Sequence, residues 1–136
     1  MALDPDVQRL AKSDNLAVTV TLLPDGQPHA LPTWIDTDGE YLLVNTEPQR
    51  QKVKNVRGDP RVTVLIVDKA NPFDFAEVRG RVVETVGGDE ARRHIDELSQ
   101  RYTGGPYQLP IGEQGRIILK IAPDRQLTAA KLSGGG

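Results

Sequence analysis

The chain has 136 residues, with 17 basic and 19 acidic side chains, no cysteine and a formal net charge of −2. That size suits one domain with its own core, and at 38% hydrophobic residues the chain is not compositionally disordered. Lack of cysteine excludes disulfides, thiolate nucleophiles and thiolate-bound zinc. The small net charge gives no general attraction to nucleic acid or anionic membrane, and no apolar run reaches the ~20 residues that span a bilayer. Without a basic-then-apolar leader at the start, the expected location is cytoplasmic.

Asp4-Pro5 reads as a helix cap followed by proline at the first helical position. Val7, Leu10 and Ala11 follow at amphipathic spacing. Alternation over 16–23 predicts a strand with Leu16, Val18, Val20 and Leu22 on one face and Ala17, Thr19, Thr21 and Leu23 on the other. Pro24-Asp25-Gly26 turns the chain into a second strand near 28–35, which Pro28 and Pro32 mark as an edge or an interrupted strand. Asp36–Gly39 turns again into a strand over Tyr41–Val44.

A second helix is predicted near 47–57, then a strand over 61–67, a proline-containing loop at 69–73 and a long strand near 74–86. Gly87-Gly88-Asp89 opens a third helix, in which Ala91, Ile95, Leu98 and Tyr102 recur on one face. A glycine-rich loop over 104–115 leads to a last apolar strand, Ile117–Ile121. About six strands and three helices make a mainly β, antiparallel small barrel with helical decoration. It forms one domain over 1–129, with a flexible tail at 130–136.

No nucleophile elbow, zinc-protease helix, P-loop or dinucleotide fingerprint is present. His29 and His94 lie on different elements, and no third ligand stands near either, so no metal site is expected. His94, among Arg92, Arg93, Asp96 and Glu97, reads as a solvated residue, whereas His29 follows a turn on an edge strand. The informative stretch is 45–61, where Thr46 and Gln49 form a capping-box pattern with Pro48 in the first turn. From Glu47 to Arg61 the net charge is +3, which leaves −5 for the rest of the chain. A helix start after a strand offers free N–H groups to an anion, and Arg50 and Lys52 stand beside that start. On an ideal helix Arg50, Lys54 and Arg57 form one stripe while Lys52 flanks Val53 and Val56. Both cations grip one anion only if the first turn is irregular. The plainer reading is a solvated basic helix face.

Asp25-Gly26-x-Pro28, Pro32-Thr33-Trp34, Asn45-Thr46, the string Arg50-x-Lys52-x-x-Asn55-Val56-Arg57-x-Asp59-Pro60-Arg61-Val62, and Arg101-Tyr102-Thr103-Gly104-x-Pro106-Tyr107 together resemble a known family. It is the pyridoxamine 5′-phosphate oxidase-like split β-barrels, and within them the B branch of the flavin/deazaflavin oxidoreductases. The resemblance covers residues 6 to about 127. It implies a homodimer with a cofactor groove between protomers, coenzyme F420 as cofactor with FMN as the alternative, and hydride transfer to a small conjugated or unsaturated substrate. Carried over by position, Arg50 and Lys52 hold the cofactor phosphate and Asn45 and Thr46 line the same end. Pro32, Thr33 and Trp34 run along the ring, and Asn55 belongs to the same motif. Trp34, Phe75 and Tyr107 are candidate walls of the substrate pocket, with His29 beside them; packing is the plainer role for each. Alternatives are an FMN-dependent oxidase or reductase and a cofactor-binding protein without turnover. A single-strand nucleic-acid binder would need aromatics among the basic residues, and 47–61 has none.

Overall fold

Asp4 caps the first helix through its side chain, which accepts from the Asp6 N–H, and α1 (Pro5–Lys12) buries Val7, Leu10 and Ala11. The computed structural model describes residues 1–135. After α1 come β1 (Ala17–Leu22), β2 (Pro28–Thr33), β3 (Asp36–Thr37), β4 (Leu42–Thr46), α2 (Gln51–Gly58), β5 (Arg61–Val67) and β6 (Phe75–Val86). The chain continues through α3 (Gly88–Thr103), β7 (Ile117–Thr128) and α4 (Ala129–Gly135).

All seven strands form one antiparallel sheet in the order β2-β1-β5-β6-β7-β4-β3. The two edge strands, β2 and β3, are neighbours in sequence, and only Trp34 and Ile35 join them. Three Cα steps reach no more than ~11 Å, so the sheet must curl until its edges nearly meet. That makes it a split β-barrel, with the split between β2 and β3. The core inside the curl runs from Leu3 and α1 through Val44, Val53 and Val64 to Ile121. A smaller cluster of Leu43, Ala91 and Ile118 sits under α3.

The prolines behave as the sequence predicts, since β2 pairs on one side only. In β1 the more polar face is the inward one: Ala17, Thr19 and Thr21 are buried and Val18 is exposed. The threonine hydroxyls are satisfied inside, Thr19 by the Thr33 hydroxyl at 2.8 Å and Thr21 by the Asn55 amide at 3.0 Å. The structure differs from three expectations. A seventh strand, β3, is present, and its two residues are too few to give an alternation signal. The second helix begins at Gln51, because the Arg50 N–H closes a turn onto the Glu47 carbonyl with Pro48 at its second position. The Thr46–Gln49 capping box therefore does not form; Thr46 ends β4, and Arg50 takes the N-cap position. The last strand runs on to Thr128, and α4 occupies Ala129–Gly135 where a tail is expected. Residue 136 lies outside the described residues.

Strand β6 crosses β7 with register shifts at Arg79/Gly80 and Val82/Glu84, which let the sheet bend. At the first shift a Cβ on Gly80 would lie 2.1 Å from the Ala122 carbonyl oxygen. Gly80→Ala is therefore expected to destabilise the fold by at least about 1–3 kcal/mol, the range for overpacking. The loss appears as a lower urea midpoint, and an unchanged midpoint would show that the bulge can relax.

Candidate functional site

A cavity of about 720 Å³ opens beside the split. The end of β4 brings Asn45 and Thr46 to it, the turn before α2 brings Glu47 and Arg50, and the first residues of α2 bring Gln51 and Lys52. Along β2 the cavity meets His29, Leu31, Pro32 and Thr33, and Trp34 follows at the split. The loop after α3 supplies Tyr107 and Leu109, and Arg116 enters from the residue before β7.

One end is cationic. Arg50 stands before the helix proper, outside its rotational phase, so Arg50 and Lys52 both border the cavity. Among the described residues Lys52 pairs with no carboxylate. Burial, then the nearby Arg50 and Arg116, push its ammonium below its ordinary value. Glu47 is the one carboxylate lining the cavity. Its Oε1 accepts from Arg50 Nη2 at 3.1 Å and lies 3.8 Å from Arg116 Nη1, and the Arg50 bond chiefly holds its carboxyl below the ordinary range.

The other end is aromatic. Trp34 stacks on Tyr102 with ring centroids 5.0 Å apart and planes 6° from parallel, and it meets Tyr107 edge-on at 6.3 Å. The Tyr102 hydroxyl accepts from the Ile35 N–H at 3.1 Å and donates to the Asn15 carbonyl. Burial raises its phenol above the ordinary value, which keeps the donor protonated. Arg101, next to it, donates to the carbonyls of Ala11 and Ile35 and to Asp36. The two residues that bridge the split are thus held by the last turn of α3.

Under the bridge lies Asp36, 5% exposed. Its Oδ1 meets Arg101 Nη2 at 2.8 Å and Lys12 Nζ at 3.1 Å, and its Oδ2 meets His94 Nε2 at 2.9 Å. Burial alone would raise this carboxyl. The hydrogen bonds from His94 and Arg101 outweigh it and hold the group far below the usual carboxylate range.

Of the residues singled out from sequence, His29, Pro32, Thr33, Trp34, Asn45, Thr46, Arg50, Lys52 and Tyr107 meet at this one cavity. Two do not. Asn55 is buried on the sheet side of α2, where it donates to Thr21 and accepts from Gln51, so both ends of its amide are used within the protein. Phe75 shares neither the cavity nor the core: Ala76 and Val78 point inward, which turns Phe75 to the outer face of the sheet. His94 is also corrected, from solvated to 7% exposed. It lies three residues after Ala91 and four before Leu98, on the apolar stripe, and that spacing was the available signal. Arg116 was missed; its only sequence mark is a charge placed directly before an apolar run.

The residues present suit a cofactor with a phosphate and a planar ring. An unpaired half-buried lysine flanks one end and a pre-stacked tryptophan the other, with a buried arginine between them. His29, which lines the same cavity, has its Nδ1 buried without a hydrogen-bond partner, the only such side-chain atom among the described residues.

A curled antiparallel sheet with this cavity along its open seam defines the protein's class, a split β-barrel of the kind that binds flavin-type cofactors. The family model described as pyridoxamine 5′-phosphate oxidase matches residues 3–128, and the chain belongs to that family. Among solved structures it is similar to an F420 reductase, at 30% identity over 88% of this chain and 94% of that one, with a TM-score of 0.78. It is also similar to the conserved hypothetical protein Rv2991 from Mycobacterium tuberculosis, at 28% identity over 96% and 88%, with a TM-score of 0.70. General Stress Protein 26 from Bacillus anthracis shares the fold, at 20% identity over 90% of each chain and a TM-score of 0.68. No curated protein matches the sequence significantly.

Removing the Asp36 charge leaves Arg101, Lys12 and His94 without their shared acceptor. Asp36→Asn is expected to cost about 3–5 kcal/mol at neutral pH, as for other broken buried pairs. Because the folded carboxyl is depressed, its contribution is complete above the unfolded value of ~3.9 and is lost as pH falls below that. Urea unfolding between pH 2.5 and 7 should therefore show the gap between wild type and variant narrowing only at the acid end. A gap independent of pH would assign the loss to packing instead.

Proposed function

We propose that the protein is a cytoplasmic F420-dependent oxidoreductase that transfers a hydride between the deazaflavin and a small conjugated or unsaturated organic substrate. The observation that carries this reading is the pairing, in one cavity, of a cationic end, where Glu47 is the one carboxylate against Arg50, Lys52 and Arg116, with a pre-stacked aromatic end. Likeness to the F420 reductase at 30% identity supports the deazaflavin over FMN. So does the exposed face of α2, where Lys54 and Arg57 extend the positive charge beyond the cavity toward where an acidic tail would run.

When bound, the deazaflavin supplies the hydride chemistry, and the protein supplies position and field. Arg50 and Lys52 hold the phosphate by charge-assisted hydrogen bonds, with Thr46 at the same end. Pro32, Thr33 and Trp34 lie along the ring. Tyr102 and the α3 pins keep Trp34 from turning, so the ring meets a wall already in place. Tyr107 and His29 border the space left for substrate, and no side chain is assigned as the proton donor.

The cofactor groove of a dimer needs a face for the second copy, and the outer face of the sheet suits it. Val18 lies between Pro32 on β2 and Leu65 on β5, and Val20 faces Ala30 across the β1–β2 pair. Phe75 and Val67 extend the same apolar face. Two-fold pairing over it covers both this surface and the proline-marked edge.

Titration of purified protein with the deazaflavin and, separately, FMN tests the reading. Tighter binding of the deazaflavin supports it, tighter binding of FMN moves the assignment to a flavin enzyme, and binding of neither removes it. Arg50→Ala and Lys52→Ala should each weaken the bound coenzyme by about 1.5–3 kcal/mol, roughly 10- to 150-fold. Unchanged affinity in both would remove the phosphate assignment. Light scattering should find a dimer that Val18→Glu with Leu65→Glu converts to monomer; a monomeric wild type removes the dimer.

A further inference from the structure

Arg116 is 8% exposed, yet it has no close anion. Its Nε donates to Asn45 Oδ1 at 2.9 Å, but its remaining contacts are long: the Asn45 carbonyl and the Tyr107 hydroxyl at 3.4 Å, and Glu47 at 3.8 Å. The guanidinium also lies 5.1 Å from the centre of the Tyr107 ring, between the cationic and aromatic ends of the cavity. Burial pushes it below its ordinary value, partly offset by Tyr107 and Glu47. A buried cation with donors to spare at a cavity wall is a site for an anion.

The single strong bond to Arg116 is the end of a longer chain. Asn45 Nδ2 lies 2.9 Å from the Ala91 carbonyl and 3.1 Å from His94 Nδ1, and His94 Nε2 lies 2.9 Å from Asp36 Oδ2. The chemistry of the partners dictates every orientation. Arg116 can only donate and the Ala91 carbonyl can only accept, so the Asn45 amide must turn its oxygen to Arg116 and its NH₂ to Ala91. His94 Nδ1 is then an acceptor, and its proton is on Nε2, facing the carboxylate.

We propose that Asp36, His94 and Asn45 form a buried relay that positions Arg116 as an anion-binding group of the cavity, and that the relay is intact only while the His94 imidazole is neutral. A second proton would sit on Nδ1 and face the Asn45 NH₂, donor against donor. Asn45 cannot flip to receive it, because its NH₂ would then face Arg116 Nε–H and its oxygen would face the Ala91 carbonyl. Protonation therefore frees Asn45 and releases Arg116.

The charged groups around the ring do not reverse this sign. Asp36 faces the imidazole directly, with its single charge already shared between Arg101 and Lys12. Asp38, Glu90 and Glu97 against Arg93 and Lys120 line the small cavity on its outer side and leave one net negative charge there, which offsets the added proton. The cavity thus gains little attraction for an anion from the added proton while it loses the geometry of Arg116.

The inference about binding rests on the cofactor reading, but the relay itself is tested without any ligand. Nitrogen-15 spectra of the wild-type imidazole at pH 8 should show the proton on Nε2 and an accepting Nδ1; a proton on Nδ1 overturns the relay. Coenzyme titrations from pH 5.5 to 8.5 then compare wild type, His94→Gln and Arg116→Gln, with circular dichroism to verify folding. Wild-type affinity should fall about tenfold toward pH 5.5 beyond any change in His94→Gln, whose profile keeps only the ligand's own titration. Arg116→Gln should bind about tenfold or more weakly at pH 8, one charge-assisted bond lost, and lack the acid limb. The same acid limb in all three proteins overturns the proposal. A wild type that binds neither coenzyme removes the cofactor reading, and the tautomer result then decides the relay alone.

Discussion

Two residues have to carry the chain from one edge of the sheet to the other. Thr33 ends β2, Asp36 begins β3, and the five remaining strands lie between them in the sheet. Everything else about the barrel answers to that short span: the register shifts that bend β6 over β7, the glycine that lets Ala122 approach, and the core enclosed by the curl. The span is held by hydrogen bonds of its own backbone, the Ile35 N–H donating to the Tyr102 hydroxyl and Arg101 donating to the Ile35 carbonyl, and by the buried charge that follows it at Asp36. A free carboxylate in that position would be costly. Three donors from α1 and α3 turn it into the point where helices and sheet are tied together.

The closure and the cavity are consequently one structure. The tyrosine that fixes Ile35 also stacks under Trp34, so the aromatic wall is set by the same side chain that closes the split. On its other side, Asp36 reaches through His94 and Asn45 to the arginine at the cavity wall. Helix α3 supplies Ala91 and His94 to this arrangement from its first two turns and Arg101 and Tyr102 from its last, which is why its inner stripe mixes polar and apolar residues.

Much of the architecture was legible in the sequence, because turn chemistry and period-2 alternation are local signals. Pro28 and Pro32 announced an edge, and Asp4-Pro5 announced a helix start. Alternation assigns residues to faces, but it does not say which face is inward. In β1 the threonines went inside, because Thr33 and Asn55 satisfy their hydroxyls from other elements. The cationic stretch was visible as charge, whereas the turn at 47–50 that lets Arg50 and Lys52 share one side depends on Pro48 closing a loop rather than opening a helix. Asn55 and Asn45 share one chemical type and fall in the same motif-bearing stretch. Only the packing distinguishes an amide used up against Thr21 and Gln51 from one that borders the cavity. His94 and Arg116 were hidden for a related reason: their partners are 58 and 71 residues away in the chain.

The loop from Gly104 to Gly115 meets these ties through one residue, Tyr107, which packs against Trp34 and Arg116. Gly104 ends α3 in a left-handed conformation, and the Tyr107 N–H rests on Asp96 of the same helix, so the loop is anchored to α3 and pairs with no strand. It carries Tyr107 and Leu109 to the cavity. With Tyr107 kept, a lineage can lengthen, shorten or rewrite this segment without disturbing the closure of the barrel or Arg50 and Lys52. The fold thereby separates what must be inherited intact from what is free to diverge, and one wall of the cavity can change while the wall on β4 and α2 stays as it is.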